Sequence, residues 1–166
     1  MSKDTNEREA KVKPYLHSAG NTFHFQWNLD CSVGKGGANS RACDVSYIQW
    51  YYTLAAQNLA TPEDRKAVYR KVRVSGVCRG IDDDPLVAAI IAHQQALSHP
   101  EIDGRISVAH GSGKIGGTAF FILRLGARLA NMYPNMWPRL DLIPNCPALV
   151  AQAVREAIPS APPLAK

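Results

Sequence analysis

Several residue clusters in this chain have the right types for catalysis, so their spacing decides what they can do. His93, His99 and His110 lie close to Asp103 in sequence. Metal-assisted hydrolysis needs two or three such ligands converging on one ion. His93 and His99 are not at the i, i+4 spacing that shares a helix face, and no HExxH is present. A thiol nucleophile would need Cys31 or Cys78 with His24 or His110 as base, and no local motif joins them. Glycoside hydrolysis would draw two carboxylates from Glu101, Asp103 and the run Asp82, Asp83, Asp84; that run suits the cap of a following helix better. Gly34-Lys35-Gly36-Gly37 and Gly111-Ser112-Gly113-Lys114 lack the GxxxxGK[ST] spacing of a phosphate loop. The reading therefore leans away from an enzyme: no catalytic residue, no metal ligand set and no cofactor are expected.

What remains is recognition chemistry. Gln49, Gln94 and Gln95 offer amides, Trp50, Tyr51 and Tyr52 offer rings, and Arg105 beside Asp103 can fork onto a carboxylate. The expected ligand site comprises Gln49, Tyr51, Tyr52, Gln94, Gln95, Asp103 and Arg105. Gln49 and Gln94 suit better a role inside the core, tying helix ends or loop carbonyls together, and Asp103-Gly104 suits a turn better than a ligand site. The net charge of +5 favours an anionic partner by long-range attraction. Arg65, Lys66, Arg70, Lys71, Arg73 and Arg79 concentrate part of it, as a docking patch or as a solvated face; the stretch lacks the density of a nucleic-acid arm. The four cysteines, Cys31, Cys43, Cys78 and Cys146, show no zinc-site spacing and are compatible with two disulfides or with four thiols.

The elements that must position these groups are mostly helical. Residues 14–33 alternate apolar and polar types in part, as a strand or short hairpin does. Three glycines in 34–37 then mark a loop. Helices are expected over about 44–58, with Asp44 as cap and Val45, Ile48, Tyr52, Ala55 and Leu59 as the apolar stripe; about 62–72; from Pro85 to His99-Pro100 behind the cap Asp84; about 118–131; and 147–158. Trp50, Tyr51 and Leu54 fall off the first stripe and either widen the core or form an exposed aromatic surface. Residues 1–13 read as a flexible lead, 14–158 as one domain and 159–166 as a flexible tail. The lead has no apolar core of a secretory signal, and runs such as 86–92 and 119–123 are too short to span a bilayer. The expectation is a protein made in the cytoplasm, with no membrane span and no nucleic-acid partner.

These pieces line up in an order. Val33-Gly34-Lys35-Gly36-Gly37-Ala38-Asn39 is followed by Asp44-Val45 and Ile48-Gln49. Gly76, Pro85, Ala89-Ile90 and Gln94 come next, and Asp103-Gly104-Arg105-Ile106 precedes a helix with Leu123 and Leu125. Over about 33–130 the chain resembles peptidoglycan-binding-like domains, in which a glycine-rich loop precedes a helix carrying a DVxxIQ pattern. His93 stands where that family usually has Phe before Gln. The resemblance implies a mainly α fold, a small helical bundle of the peptidoglycan-binding-domain type, here with an extra C-terminal helix and a short N-terminal extended segment. It also implies non-catalytic recognition of bacterial cell-wall peptidoglycan. Of such proteins, the glycine-rich opening most resembles those encoded with type VI secretion systems. This implies a secreted effector or accessory acting in a periplasm or on a target-cell wall, with a secretion component or an immunity protein as further partner. The other functions it leaves open are a small peptidoglycan-degrading toxin working through His93 or Asp103, and an adaptor using Trp50, Tyr51 and Trp137 as its surface.

Overall fold

The computed structural model describes residues 12–19, 22–115 and 117–158; most of the expected lead and all of the expected tail lie outside that range. In chain order come β1 (Lys13–Ala19), β2 (Thr22–Asn28), β3 (Val33–Gly34), α1 (Ala42–Gln57), α2 (Glu63–Tyr69), α3 (Pro85–Ala96), β4 (Arg105–Ile106), β5 (Lys114–Ile115), β6 (Thr118–Ala119), α4 (Phe121–Met132) and α5 (Ala148–Ala157). The strands make three two-stranded antiparallel sheets, β1–β2, β3–β4 and β5–β6. With five helices and three small antiparallel sheets among the described residues, this is a mixed α and β arrangement, which corrects the expected helical bundle.

The physical reason lies in α1. Thirteen of its sixteen residues are buried, including Trp50, Tyr51 and Leu54 outside the expected stripe. A helix apolar on all sides must be covered on all sides, and here a strand joins the helices in covering it. α2, α5 and β3 all pack against α1. The loop after α4 is drawn in by indole donors: Trp27 Nε1 donates to the Pro138 carbonyl (2.8 Å) and Trp50 Nε1 to that of Pro144 (3.0 Å). The adaptor surface expected at Trp50 and Tyr51 is therefore interior, and Trp137 is half-buried.

Local signals set the helix ends with two corrections. Asp84 caps α3 as expected, its carboxylate accepting from Leu86 N at 2.8 Å behind Pro85. α1, however, begins at Ala42, so Asp44 lies inside the first turn. Its carboxylate reaches back to accept from the backbone N–H of Asp30 (3.2 Å) and Cys31 (2.8 Å), fixing the approach to β3. Burial raises its pKa to about 6, against the lowering by those two donors. α1 also ends before Leu59. Asn58 leaves the helix in an extended conformation and its Oδ1 accepts from Ala60 N, a local turn that competes with another helical turn. Leu59 consequently projects into solvent, 95% exposed, rather than completing the stripe.

The two glycine-bearing motifs meet. β3 pairs with β4 in the register Val33↔Ile106 and Gly34↔Arg105, and Lys35 N donates to the Gly104 carbonyl at 2.8 Å. Gly34 has φ +112, and a Cβ there would collide with that carbonyl. All four cysteines are thiols, with no disulfide among them.

Candidate functional site

Both glutamines of the expected groove are satisfied by their own chain. Gln49 is 3% exposed. Its Oε1 accepts from Ser75 N and Gly76 N (both 2.9 Å), and its Nε2 donates to Val77 O (3.0 Å) and Ser75 Oγ (3.1 Å). Gln94 is 1% exposed. Its Oε1 accepts from Gly104 N (2.9 Å), and its Nε2 donates to Arg105 O (3.0 Å) and Asp103 Oδ1 (3.2 Å). The structure thus brings Gln94, Asp103 and Arg105 together as a turn clamp, with the Arg105 guanidinium 3.6 Å from Asp103. Gln49 holds a different segment, and Gln95 is exposed on α3.

A cleft opens elsewhere, of about 460 Å³, within the roughly 300–1,000 Å³ usual for ligand pockets. Each of its four walls follows from helix periodicity. α1 gives Tyr51 and Ala55, one turn apart; α2 gives Arg65 and Tyr69, also one turn apart; α3 gives His93; α4 gives Arg124 and Arg128. On α4 the inward face is Phe121, Ile122, Leu125 and Leu129, which leaves the two arginines on the flank facing the cleft. Of the expected ligand residues, only Tyr51 lines it.

The cleft floor is aromatic. Tyr51 stacks on His93 with ring centroids 5.8 Å apart and planes within 7°. Tyr52 and Phe121 meet the same imidazole edge-on, at 5.7 and 4.9 Å. Tyr52, fully buried behind the floor, forms a 3.1 Å hydrogen bond with His93 Nδ1. The Tyr52 hydroxyl has no other acceptor among the described residues, so it donates to Nδ1 and the ring proton sits on Nε2. The imidazole is neutral: burial first, then the charges of Arg65, Arg124 and Arg128, lower its pKa to about 3. Burial also raises the phenol pKa of Tyr51 and Tyr69, with Arg65 opposing in both. The Tyr69 hydroxyl is buried and lacks a hydrogen-bond partner of sound geometry.

Three guanidiniums therefore converge on a neutral aromatic floor. No ion pair joins Arg65, Arg124 or Arg128 to a carboxylate among the described residues, and no Asp or Glu lines the cleft. Such a site suits anions, to which the guanidiniums can supply charge-assisted forks.

The sequence reading missed Arg124, Arg128 and Tyr69, and placed Arg65 in a basic run that the fold divides. Lys66, its neighbour, is buried and pairs with Glu63 at 3.3 Å. The available signals were the i, i+4 pair Arg124/Arg128 on the polar flank of a strongly amphipathic helix, and a histidine among the apolar positions of α3. Among the described residues no group of three His, Cys, Asp or Glu could hold a metal, and no helix is long and apolar enough to cross a membrane. The His24 side chain lies outside the described part. Compared with family models, curated proteins and solved structures, the chain matches none.

Proposed function

We propose that this protein is a non-catalytic recognition module for bacterial peptidoglycan, a secreted effector or accessory of a type VI-like system, and that its binding site is the arginine cleft rather than a groove at the glutamines. One observation carries the reading: three half-buried arginines, unpaired with any described carboxylate, surround a floor of Tyr51 and neutral His93. Wall stem peptides present carboxylates on short, partly apolar backbones, the complement of such a cleft. Neutral His93 adds a donor at Nε2 without adding a fourth cation.

The test is co-sedimentation with insoluble peptidoglycan at moderate salt. The protein pellets, and the double variant Arg124→Ala/Arg128→Ala loses most of that binding. Each lost charge-assisted contact costs about 1.5–3 kcal/mol, which is roughly ten- to a hundredfold in affinity. Pelleting no greater than that of a control protein of equal charge refutes the proposal.

A further inference from the structure

Across Ala60 the arginine cleft adjoins a second, more open depression of about 480 Å³, lined by Leu54, Gln57, Asn58, Leu59, Met132 and Tyr133. Its chemistry differs sharply from that of the cleft: it contains no charged residue. Tyr133, at the C-terminal cap of α4, and Met132 give apolar surface beside Leu59, which protrudes almost entirely into solvent. Gln57 is exposed, and its amide has no hydrogen-bond partner among the described residues. Asn58 uses its oxygen locally, on Ala60 N, which leaves its two N–H donors for other partners. An aromatic ring, apolar side chains and unengaged amides together fit a pyranose ring, whose C–H face needs an apolar platform and whose hydroxyl and acetamido groups need neutral hydrogen-bond partners.

The charge is thus segregated between two adjoining depressions, three cations on one side of Ala60 and neutral amides with apolar surface on the other. From this we infer that the groove reads the junction between glycan and stem peptide, with an N-acetylated sugar over Leu59, Met132 and Tyr133 and the peptide carboxylate among Arg65, Arg124 and Arg128. This rests on the proposed recognition of peptidoglycan and adds which part of it is recognised. A stem peptide hangs directly from a sugar, so adjoining sites for a neutral ring and an anion match the connectivity of that one polymer.

Calorimetric titration of the full chain with three soluble probes tests this: a disaccharide–tetrapeptide, the tetrapeptide alone, and an N-acetylglucosamine oligomer. The disaccharide–tetrapeptide binds roughly tenfold more tightly than the tetrapeptide, the gain a single ring contact supplies. Tyr133→Ala and, separately, Leu59→Ser remove that advantage while leaving tetrapeptide affinity within about twofold. Leu59→Ser guards against a folding artefact, since Leu59 packs on nothing. Arg124→Ala/Arg128→Ala weakens both peptide-bearing probes. Equal affinity for the two peptide-bearing probes, in a protein that still pellets with wall, overturns the sugar subsite alone. If no probe binds and no pelleting occurs, the wall-recognition reading falls with it.

Discussion

Replacing Gln94 with Ala separates a scaffold role from a ligand role. The side chain is sealed from solvent, and its amide satisfies the Gly104 N–H and the Arg105 carbonyl in addition to the Asp103 carboxylate. Truncation leaves the first two without partners at a buried turn, at about 1–3 kcal/mol for each orphaned group. The Asp103 contact adds less, because that carboxylate is partly exposed and also accepts from Arg105 N. The expected loss of about 2–6 kcal/mol is a large part of the roughly 5–15 kcal/mol that holds a domain of this kind. At a urea dependence of about 2 kcal/mol/M, the unfolding midpoint falls by about 1–3 M. Fluorescence of the buried Trp27 and Trp50 reports it. The neighbouring Gln95→Ala is the control, since Gln95 is exposed and should stay within about 0.5 kcal/mol of wild type. A Gln94→Ala midpoint equal to that of Gln95→Ala refutes the clamp. So does a fully stable Gln94→Ala protein that has lost wall binding, because the amide would then be facing ligand.

Two buried titrating groups give stability changes of opposite sign with pH. His93 stays neutral down to about pH 3 in the fold while the unfolded chain protonates near 6.5, so its contribution is present above 6.5 and erodes as pH falls toward 3, at up to about 1.4 kcal/mol per unit. Asp44, raised to about 6, takes its proton first in the folded state; its contribution is full below the unfolded value near 3.9 and is lost as pH rises through 6. Urea midpoints measured between pH 7 and 4.5 should therefore show a shallower acid loss for His93→Phe and a steeper one for Asp44→Asn than for wild type; parallel curves for all three would contradict both assignments. Gly34→Ala should fail to accumulate folded protein by far-ultraviolet circular dichroism, because its φ of +112 and the Gly104 carbonyl leave no place for a Cβ; a native spectrum and an unchanged midpoint would show that the β3–β4 pairing tolerates rearrangement.

Legibility followed the range of the interactions. Asp84 and Pro85 announce α3 because cap and first turn are adjacent in sequence, and the hairpin showed as alternation within one stretch. α1 misled because a stripe drawn through Val45, Ile48 and Tyr52 assumes one wet face, whereas Trp50, Tyr51 and Leu54 are buried as well. Gln49 and Gln94 had the right chemistry for a ligand, but their partners are backbone groups of turns at Gly76 and Gly104, both at positive φ. The core-tying role offered for both glutamines is the one the fold uses, but the residue pattern does not say which turns need the amide. The cleft was hidden for the converse reason. Arg65, His93, Arg124 and Arg128 come from three helices, and only tertiary packing sets them around one space.

Satisfaction of polar groups then divides scaffold from site. A buried amide whose donors and acceptor are all engaged within its own chain has nothing left for a ligand, and this describes Gln49 and Gln94. The arginine cleft is in the opposite condition. Its cations lie near enough to His93 to add to the lowering that burial imposes on the imidazole pKa, and no described carboxylate pairs with them. Like charges held together in a half-buried cleft oppose folding, so their retention is a cost to stability of the kind natural proteins carry at functional positions. His93 fits the same logic. A Phe would fill the space beside Tyr51 and Phe121 with no desolvation penalty, but it would offer neither a partner to the buried Tyr52 hydroxyl nor an N–H to the cleft. The imidazole satisfies the buried Tyr52 hydroxyl whether or not that N–H is used, and an anion between the three arginines is the partner that would use it.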